Sequence, residues 1–300
     1  MIKGKFGVVV LIVLLGLGCK DKKGYTTDKS NANKEVSSSL QVAPDTWISS
    51  RVEKAKKKLL SSDAGKIIWS AMEAHGGLAN YYKNGFLSFR FDYQPLDGKE
   101  RRDSYQTIDT WSNKARHHSI TDTTNIFGWD GKDAWIKQKD STSFKYDTKF
   151  WALTPYYFVS QPFVFDGAGV NLEMLGQITF KGKLENVVKV TFDAGTGDAP
   201  DDYYILYFSE DTKQLEVIRY IVSYPEYFER GKHAPEKFME ITSHTEVDGV
   251  VFPKQIETYW LVNNNEKGDH ITTIHICDIS FRKSVAKDYF LAPEGAKILE

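Results

Sequence analysis

The chain has 300 residues, with 39 basic and 40 acidic side chains and a formal net charge of −1 at pH 7. Nucleic-acid-binding proteins usually carry a basic excess on one face, and this near balance argues against that class of partner. The run Lys54–Lys58 is locally basic. Such a run is typical of a solvated helix face, and contact with anionic lipid head groups is the alternative.

The N-terminus has the pattern of an export signal. Lys3 and Lys5 precede an apolar run from Phe6 to Leu17, which ends at Gly18-Cys19. A basic start, an apolar stretch of about twelve residues and small residues at the cut site are typical of secretory signals. The end of the run resembles the lipobox of bacterial lipoproteins, which implies that Cys19 is acylated and becomes the first mature residue. An ordinary signal cut near Gly18 is the alternative.

Three regions are predicted from this pattern and from composition. Residues 1–18 are the lipoprotein signal peptide, 19–45 a flexible tether and 46–300 a single domain. The tether is predicted because Lys, Asp, Ser, Asn and Thr dominate it and cannot bury enough apolar surface to offset the entropy of ordering. The lipid anchor makes the membrane a partner, and we expect an outer membrane lipoprotein that faces the periplasm.

The domain begins with two predicted helices. Asp45 starts one that covers 47–60, and Asp63 caps a second with apolar residues at helical spacing, which ends at Gly76-Gly77. From residue 86 the apolar period changes to two, and Asp-Gly turns separate β-rich segments. Strands are predicted at 86–94, 100–110, 113–120, 124–129, 133–138, 176–182, 186–194, 203–209, 214–224, 237–247, 250–262 and 270–282.

Residues 148–175 interrupt this alternation with many aromatic side chains, and we predict short helices or an apolar loop over the mouth of the sheet. The predicted fold class is mainly β: one large curved antiparallel sheet, or half-open barrel of about 11–12 strands, with an N-terminal helix and covering helices.

Several short motifs resemble the LolA/LolB-type superfamily. They are His75-Gly76-Gly77 between helix and strand, the turn from Trp129 to Trp135, Tyr204–Phe208 followed by Leu215, Phe252-Pro253-Lys254, and the ending from Ile279 to Ala296. The resemblance covers roughly residues 63–300. It implies an unclosed β-barrel with helices on its open side and a cavity for an acyl chain. The chain departs from the soluble carrier by its own lipidation, and the carrier's ligand-binding residues have no assigned positions here.

Three polar groups are candidates for chemistry. His117-His118 with Asp122 could bind a metal only from a turn, since neighbours on a strand point to opposite faces, and a satisfied or exposed pair is favoured. His275 and Cys277 share a predicted strand face with Ile279 and Phe281, where core packing is favoured over a dyad. The third group is Asp198, Asp201 and Asp202. Their spacing does not match that of a calcium-binding loop, so a solvated turn is the favoured interpretation. No catalytic residue, metal or cofactor is predicted.

Three function classes therefore remain: a module that binds an apolar or amphipathic ligand, a scaffold lipoprotein with an unknown protein partner, and an unrecognised hydrolase. The first is favoured, with a lipid or lipoprotein acyl chain as ligand and no enzymatic activity. The predicted ligand-binding residues are all aromatic: Phe89, Phe91, Tyr93, Trp135, Trp151, Tyr157, Phe158 and Phe163.

Overall fold

The computed structural model describes residues 39–197, 199, 201–263 and 265–300. The predicted signal peptide, the lipidation residue Cys19 and most of the predicted tether lie outside these residues. Within the described part of the chain, no helix is both long and apolar enough to cross a membrane.

Thirteen strands of the described residues form one antiparallel sheet, and two more pair separately. The strands are β1 Ser39–Gln41, β2 Phe86–Pro95, β3 Arg102–Asp109, β4 Lys114–Ser119, β5 Ile126–Trp129, β6 Ala134–Lys137, β7 Val170–Phe180, β8 Lys183–Phe192, β9 Tyr204–Ser209, β10 Leu215–Tyr220, β11 Lys237–Val247, β12 Val250–Val262, β13 Glu266–Arg282, β14 Ser284–Ala286 and β15 Lys297–Leu299. The order across the sheet is β15-β6-β5-β4-β3-β2-β13-β12-β11-β10-β9-β8-β7. Because β15 and β7 are edges, the sheet is not closed, and the predicted fold class is confirmed.

Five helices and one 3₁₀ turn cover the concave face of this sheet. They are α1 Asp45–Leu59, α2 Asp63–Ala74, α3 Leu78–Asn84, α4 Thr148–Trp151, α5 Thr154–Val159 and the 3₁₀ turn Phe163–Phe165. The cap of α2 is Ser62 rather than Asp63, since its hydroxyl accepts a hydrogen bond from the Gly65 amide at 3.1 Å. The seven residues of α3 are too few to show helical periodicity, which is why this helix was not predicted.

The His75-Gly76 pair fixes the end of α2 to the sheet. The imidazole of His75 lies between two backbone groups: Nδ1 donates to the Val251 carbonyl at 3.0 Å, and Nε2 accepts from the Leu215 amide at 3.2 Å. Burial lowers the pKa of His75 to about 4, which keeps the ring neutral for this pair of bonds. Gly76 is required because a Cβ there would lie 2.0 Å from the Gly249 carbonyl oxygen.

The ordered body begins before the predicted domain boundary. Strand β1 pairs with β14, and Ala43 is buried. Leu40 packs with the outer cluster of Phe86, Val285 and Phe290. Residues 39–45 therefore belong to the folded body and not to the predicted tether of 19–45. The pairing partner lies some 245 residues away in sequence, and three residues are too few for a periodic pattern.

A β-bulge corrects the predicted environment of Cys277. The pairing of β13 with β2 shifts register between Cys277 and Ser280, and Asp278 has φ of 52°. The extra residue reverses which side chains face the core. Ile279 and Phe281 pack against the core, whereas Cys277 is half-buried outside it. Core packing of Cys277 beside these two residues was therefore a wrong prediction.

Candidate functional site

A cavity of about 420 Å³ lies at one end of the concave sheet face. Its walls come from strand residues, from the covering segment 148–165, which comprises α4, α5 and the 3₁₀ turn, and from the loop 221–236 that follows β10. Aromatic side chains form much of the lining: Tyr93, Trp129, Phe150, Trp151, Tyr157, Phe158, Phe192, Tyr204, Tyr220, Tyr224, Tyr227, Phe228 and Trp260. The site is therefore a largely apolar cavity that opens to solvent.

Four of the eight predicted ligand-binding residues line this cavity: Tyr93, Trp151, Tyr157 and Phe158. Tyr93 comes from strand β2, and the other three come from the covering segment. The rings of Tyr93 and Trp151 meet edge to face at 5.1 Å, and Phe158 meets Tyr220 in the same way at 5.1 Å. The sheet and the covering segment thus contribute facing walls, while binding by these residues stays a prediction.

The other four predicted residues do not line the cavity. Phe89 and Phe91 lie on the cavity-facing side of β2 but are 0% and 1% exposed within the packed core. Phe163 stacks on Tyr81 at 4.4 Å, so it fills the core beneath the helices. Trp135 lies on the opposite sheet face from Ile136, and its indole Nε1 donates to the Phe290 carbonyl at 3.0 Å.

Two polar contacts fix the covering segment, one of them through Asp166, the residue that follows it. The guanidinium of Arg51, on α1, donates two hydrogen bonds to the Asp166 carboxylate, at 2.5 and 2.7 Å. The Tyr82 hydroxyl donates to the same carboxylate at 3.3 Å. From the sheet, His117 Nε2 donates to the Ala152 carbonyl at 2.8 Å, which leaves Nδ1 to accept from the Ser104 hydroxyl at 3.1 Å. The segment is thereby held from both the helices and the sheet.

The loop 221–236 closes the cavity from the other side. Its Tyr227 hydroxyl donates to Asp147 at 2.7 Å, and Glu226 pairs with Lys149 at 2.5 Å. Phe150 meets the rings of Tyr224 and Tyr227 at 5.1 and 5.4 Å. The predicted strand 214–224 was wrong for residues 221–224, because β10 ends at Tyr220. The rest of this loop was given no role, although its aromatic residues in an irregular stretch were a usable signal.

Two basic side chains face aromatic rings in the cavity. Arg102 lies opposite Tyr93 in the register of β2 and β3, and its guanidinium carbon is 4.9 Å from the Tyr93 ring and 4.7 Å from the Trp151 ring. Lys237 lies opposite Trp260, with its Nζ 5.8 Å from that ring. Burial, with the nearby Arg102 and Lys99 charges, lowers the pKa of Lys237 to about 8.

The polar clusters noted in the sequence are dispersed by the fold. His117 is buried with both ring nitrogens bonded, and burial lowers its pKa to about 4, whereas His118 stacks on Tyr105 at 5.3 Å. Asp202 accepts hydrogen bonds from the Ser223 amide and hydroxyl at 2.6 and 2.7 Å, and Asp198 lies outside the described residues. Among the residues that the structure describes, no group of three or more His, Cys, Asp or Glu side chains is arranged to hold a metal ion.

No family model matches the chain, and no curated protein sequence matches it. The fold is similar to a LolA superfamily protein from Nitrosomonas europaea, at 10% identity and TM-score 0.47, over 75% of this chain and 96% of that one. It is also similar to a domain assigned to outer-membrane lipoprotein sorting from Vibrio parahaemolyticus, at 9% identity and TM-score 0.45, over 73% and 97%.

The lipoprotein LppX of Mycobacterium tuberculosis is a more distant likeness, at 11% identity and TM-score 0.24, over 75% of this chain and 96% of that one. The unclosed antiparallel sheet predicted from the sequence is seen directly in the strand order, and these likenesses add only a similarity of fold. Likenesses at these identities carry nothing about the ligand or the partner of this chain.

Proposed function

We propose that this protein binds the apolar chain of an amphiphile, such as a lipid or a lipoprotein acyl chain, in the cavity between the sheet and the covering segment. The observation that supports the proposal is the cavity itself. Its volume of about 420 Å³ falls within the range of roughly 300–1,000 Å³ typical of small-molecule sites, and aromatic side chains form much of its lining. A scaffold protein has no need of such a hollow, so binding is favoured over a purely structural role.

The proposal also includes a lipid anchor and a cellular location. Acylated Cys19 holds the protein on the outer membrane, facing the periplasm, and the tether leaves the body in water near the lipid surface. The protein acts by binding and release without covalent chemistry. This combination suits a protein that takes up or hands over an amphiphile at a membrane.

The experiment uses the tryptophans of the cavity as reporters. Trp129, Trp151 and Trp260 line it, so a brominated fatty acid should quench part of the intrinsic fluorescence, and the unbrominated acid should not. Phe158→Asp is the comparison variant, because a charge at the cavity wall should weaken uptake more than folding. A wild-type protein that shows no quenching and no stabilisation by any amphiphile contradicts the proposal and favours the scaffold.

The anchor is tested separately. Cys19→Ala should move the protein from the detergent phase to the aqueous phase, while binding by the soluble body is unchanged. Equal partitioning of variant and wild type would show that Cys19 carries no lipid.

A further inference from the structure

The cavity contains four basic side chains, and they differ in their partners. Lys99 pairs with Asp97 at 2.6 Å, and Lys149 pairs with Glu226 at 2.5 Å. Within the described residues, Arg102 and Lys237 form no ion pair with a carboxylate. Arg102 and Lys237 are therefore the two cations of the cavity lining that have no ion pair within the described residues.

Arg102 is held in place by its aromatic neighbours. Its guanidinium faces both Tyr93 and Trp151, and its Nε is buried without a hydrogen-bond acceptor among the described residues. A buried donor without an acceptor is costly, and Arg is suited to bind carboxylate or phosphate through two parallel hydrogen bonds. A bound oxyanion would supply the acceptor that this donor lacks among the described residues.

Lys237 extends the same positive region. Its Nζ lies 5.5 Å from the Tyr220 ring and 5.8 Å from the Trp260 ring, and the charge of Arg102 is close enough to disfavour its protonation. Asp202 also lines the cavity. It accepts two hydrogen bonds from Ser223 through Oδ1, and its charge acts on Lys237 less strongly than the charges of Arg102 and Lys99 do. A bound anion between Arg102 and Lys237 would relieve the repulsion between the two cations.

We propose that Arg102 and Lys237 bind the anionic head group of a single-chain amphiphile, a carboxylate or a phosphate monoester, whose chain lies along the aromatic walls. This rests on the proposed function and adds the chemistry of the head group. A single chain is favoured because about 420 Å³ lies near the lower end of the roughly 300–1,000 Å³ range of ligand sites. Aromatic rings beside the cations keep water away and strengthen the charge-assisted hydrogen bonds.

The test compares three ligands of equal chain length: laurate, dodecyl phosphate and uncharged dodecanol. Calorimetric titration with Arg102→Met and Lys237→Met should show about tenfold weaker binding of the anions, the size expected for one charge-assisted hydrogen bond. Dodecanol should change less than twofold. Arg102→Lys keeps the positive charge but loses the paired N–H donors of the guanidinium. Its affinity for the two anions should therefore lie between those of the wild type and Arg102→Met. The ratio of laurate to dodecyl phosphate affinity then identifies the head group.

Arg116→Met is the matched control. Arg116 also faces two rings, Trp135 and Tyr289, but on the sheet face away from the cavity. Thermal melts of each variant without ligand show whether it folds. If Arg102→Met does not fold, Lys237→Met alone tests the head-group site.

The outcomes separate the two proposals. Wild-type protein that binds none of the three ligands contradicts the proposed function. If the wild type binds dodecanol as tightly as laurate, or if both Met variants lose the two ligands equally, the head-group site is wrong while the apolar cavity stands.

Discussion

Phe89, Phe91 and Tyr93 lie on one face of strand β2, yet only Tyr93 reaches the cavity. The first two are buried in the core that the N-terminal helices close, whereas Tyr93 is half-exposed beside Trp151. The concave face therefore has a closed end and an open end. The alternation of the strand determines which side chains face inward, but segments distant in sequence determine whether the space above them is filled.

The closed end is packed by residues from the N-terminal helices α2 and α3. Ile68, Ala71 and Met72 of α2 are 0% exposed, and Tyr81 of α3 stacks on Phe163. At the open end, by contrast, the short helices α4 and α5 and the loop 221–236 leave a hollow between themselves and the sheet. The two ends use the same kinds of side chain, so composition alone does not separate them.

The largest expected effect is the loss of stability when the closed end is truncated. Phe163→Ala should lower the free energy of unfolding by about 3–5 kcal/mol, because it leaves a void in a packed core. Phe158→Ala, at the cavity wall, should cost less than about 2 kcal/mol, since its side chain already borders empty space. Urea denaturation measures both. Equal costs would show that the two ends are packed alike.

The second effect concerns the contact that holds the covering segment. Arg51→Ala leaves the buried Asp166 carboxylate without its bidentate partner. We expect a loss of about 2–3 kcal/mol, below the full value for a buried pair because the Arg51 side chain is 37% exposed. Arg51→Lys keeps the charge and should lose about half as much. Unchanged stability together with unchanged ligand binding would show that the segment is held without this pair.

The third effect, of shortening the chain, shows how far the closed end extends toward the N-terminus. A chain that starts at Ser39 should melt like the mature protein, while one that starts at Asp45 should lose about 2 kcal/mol with β1 and the buried Ala43. Val42 lies against Gly85, where α3 meets β2. Identical melting temperatures of the two shortened chains would show that residues 39–45 belong to the tether.

Much of this fold could be predicted from the sequence, because each long strand shows its own alternation. Strands β11 and β12 begin and end at the predicted residues. The 148–175 segment contains short helices up to Phe165, but its last six residues, 170–175, belong to strand β7. Elements fixed by distant partners were missed: β1, β15 and the loop 221–236 have too few residues in any period to identify them. The bulge at Asp278 was also missed, since one extra residue leaves no mark on composition.

The candidate site was predictable only in part, for the same reason. Aromatic residues on the sheet and on the covering segment pointed to the right region, but Trp135 and Phe163 are equally aromatic and fill packed sites. The cations were not singled out, because Arg102 and Lys237 differ from other surface-strand cations only in what faces them across the fold. Such neighbours are visible in the register of the strands, where each cation lies opposite an aromatic residue.

The smallest expected effect is a pH dependence of stability and of ligand affinity that comes from the open end and not from the closed end. The pKa of Lys237 is lowered to about 8 in the folded protein, mainly by burial and then by Arg102 and Lys99, with Asp202 acting weakly in the opposite direction. The unfolded chain therefore binds more protons than the folded one between pH 8 and the ordinary lysine pKa. Stability without ligand should rise with pH across that window.

Binding of an anion should change in the opposite direction. Because the head group requires protonated Lys237, laurate affinity should fall about tenfold between pH 7 and pH 9, while dodecanol affinity stays constant. Tyr220, whose pKa burial raises well above its ordinary value, stays neutral over this range and does not contribute. In Lys237→Met, neither the rise of ligand-free stability with pH nor the fall of laurate affinity should be seen. A laurate affinity that stays flat in the wild type would remove Lys237 from the head-group site and leave Arg102 as the sole anion ligand. An affinity that falls equally in Lys237→Met would assign the pH dependence to another group.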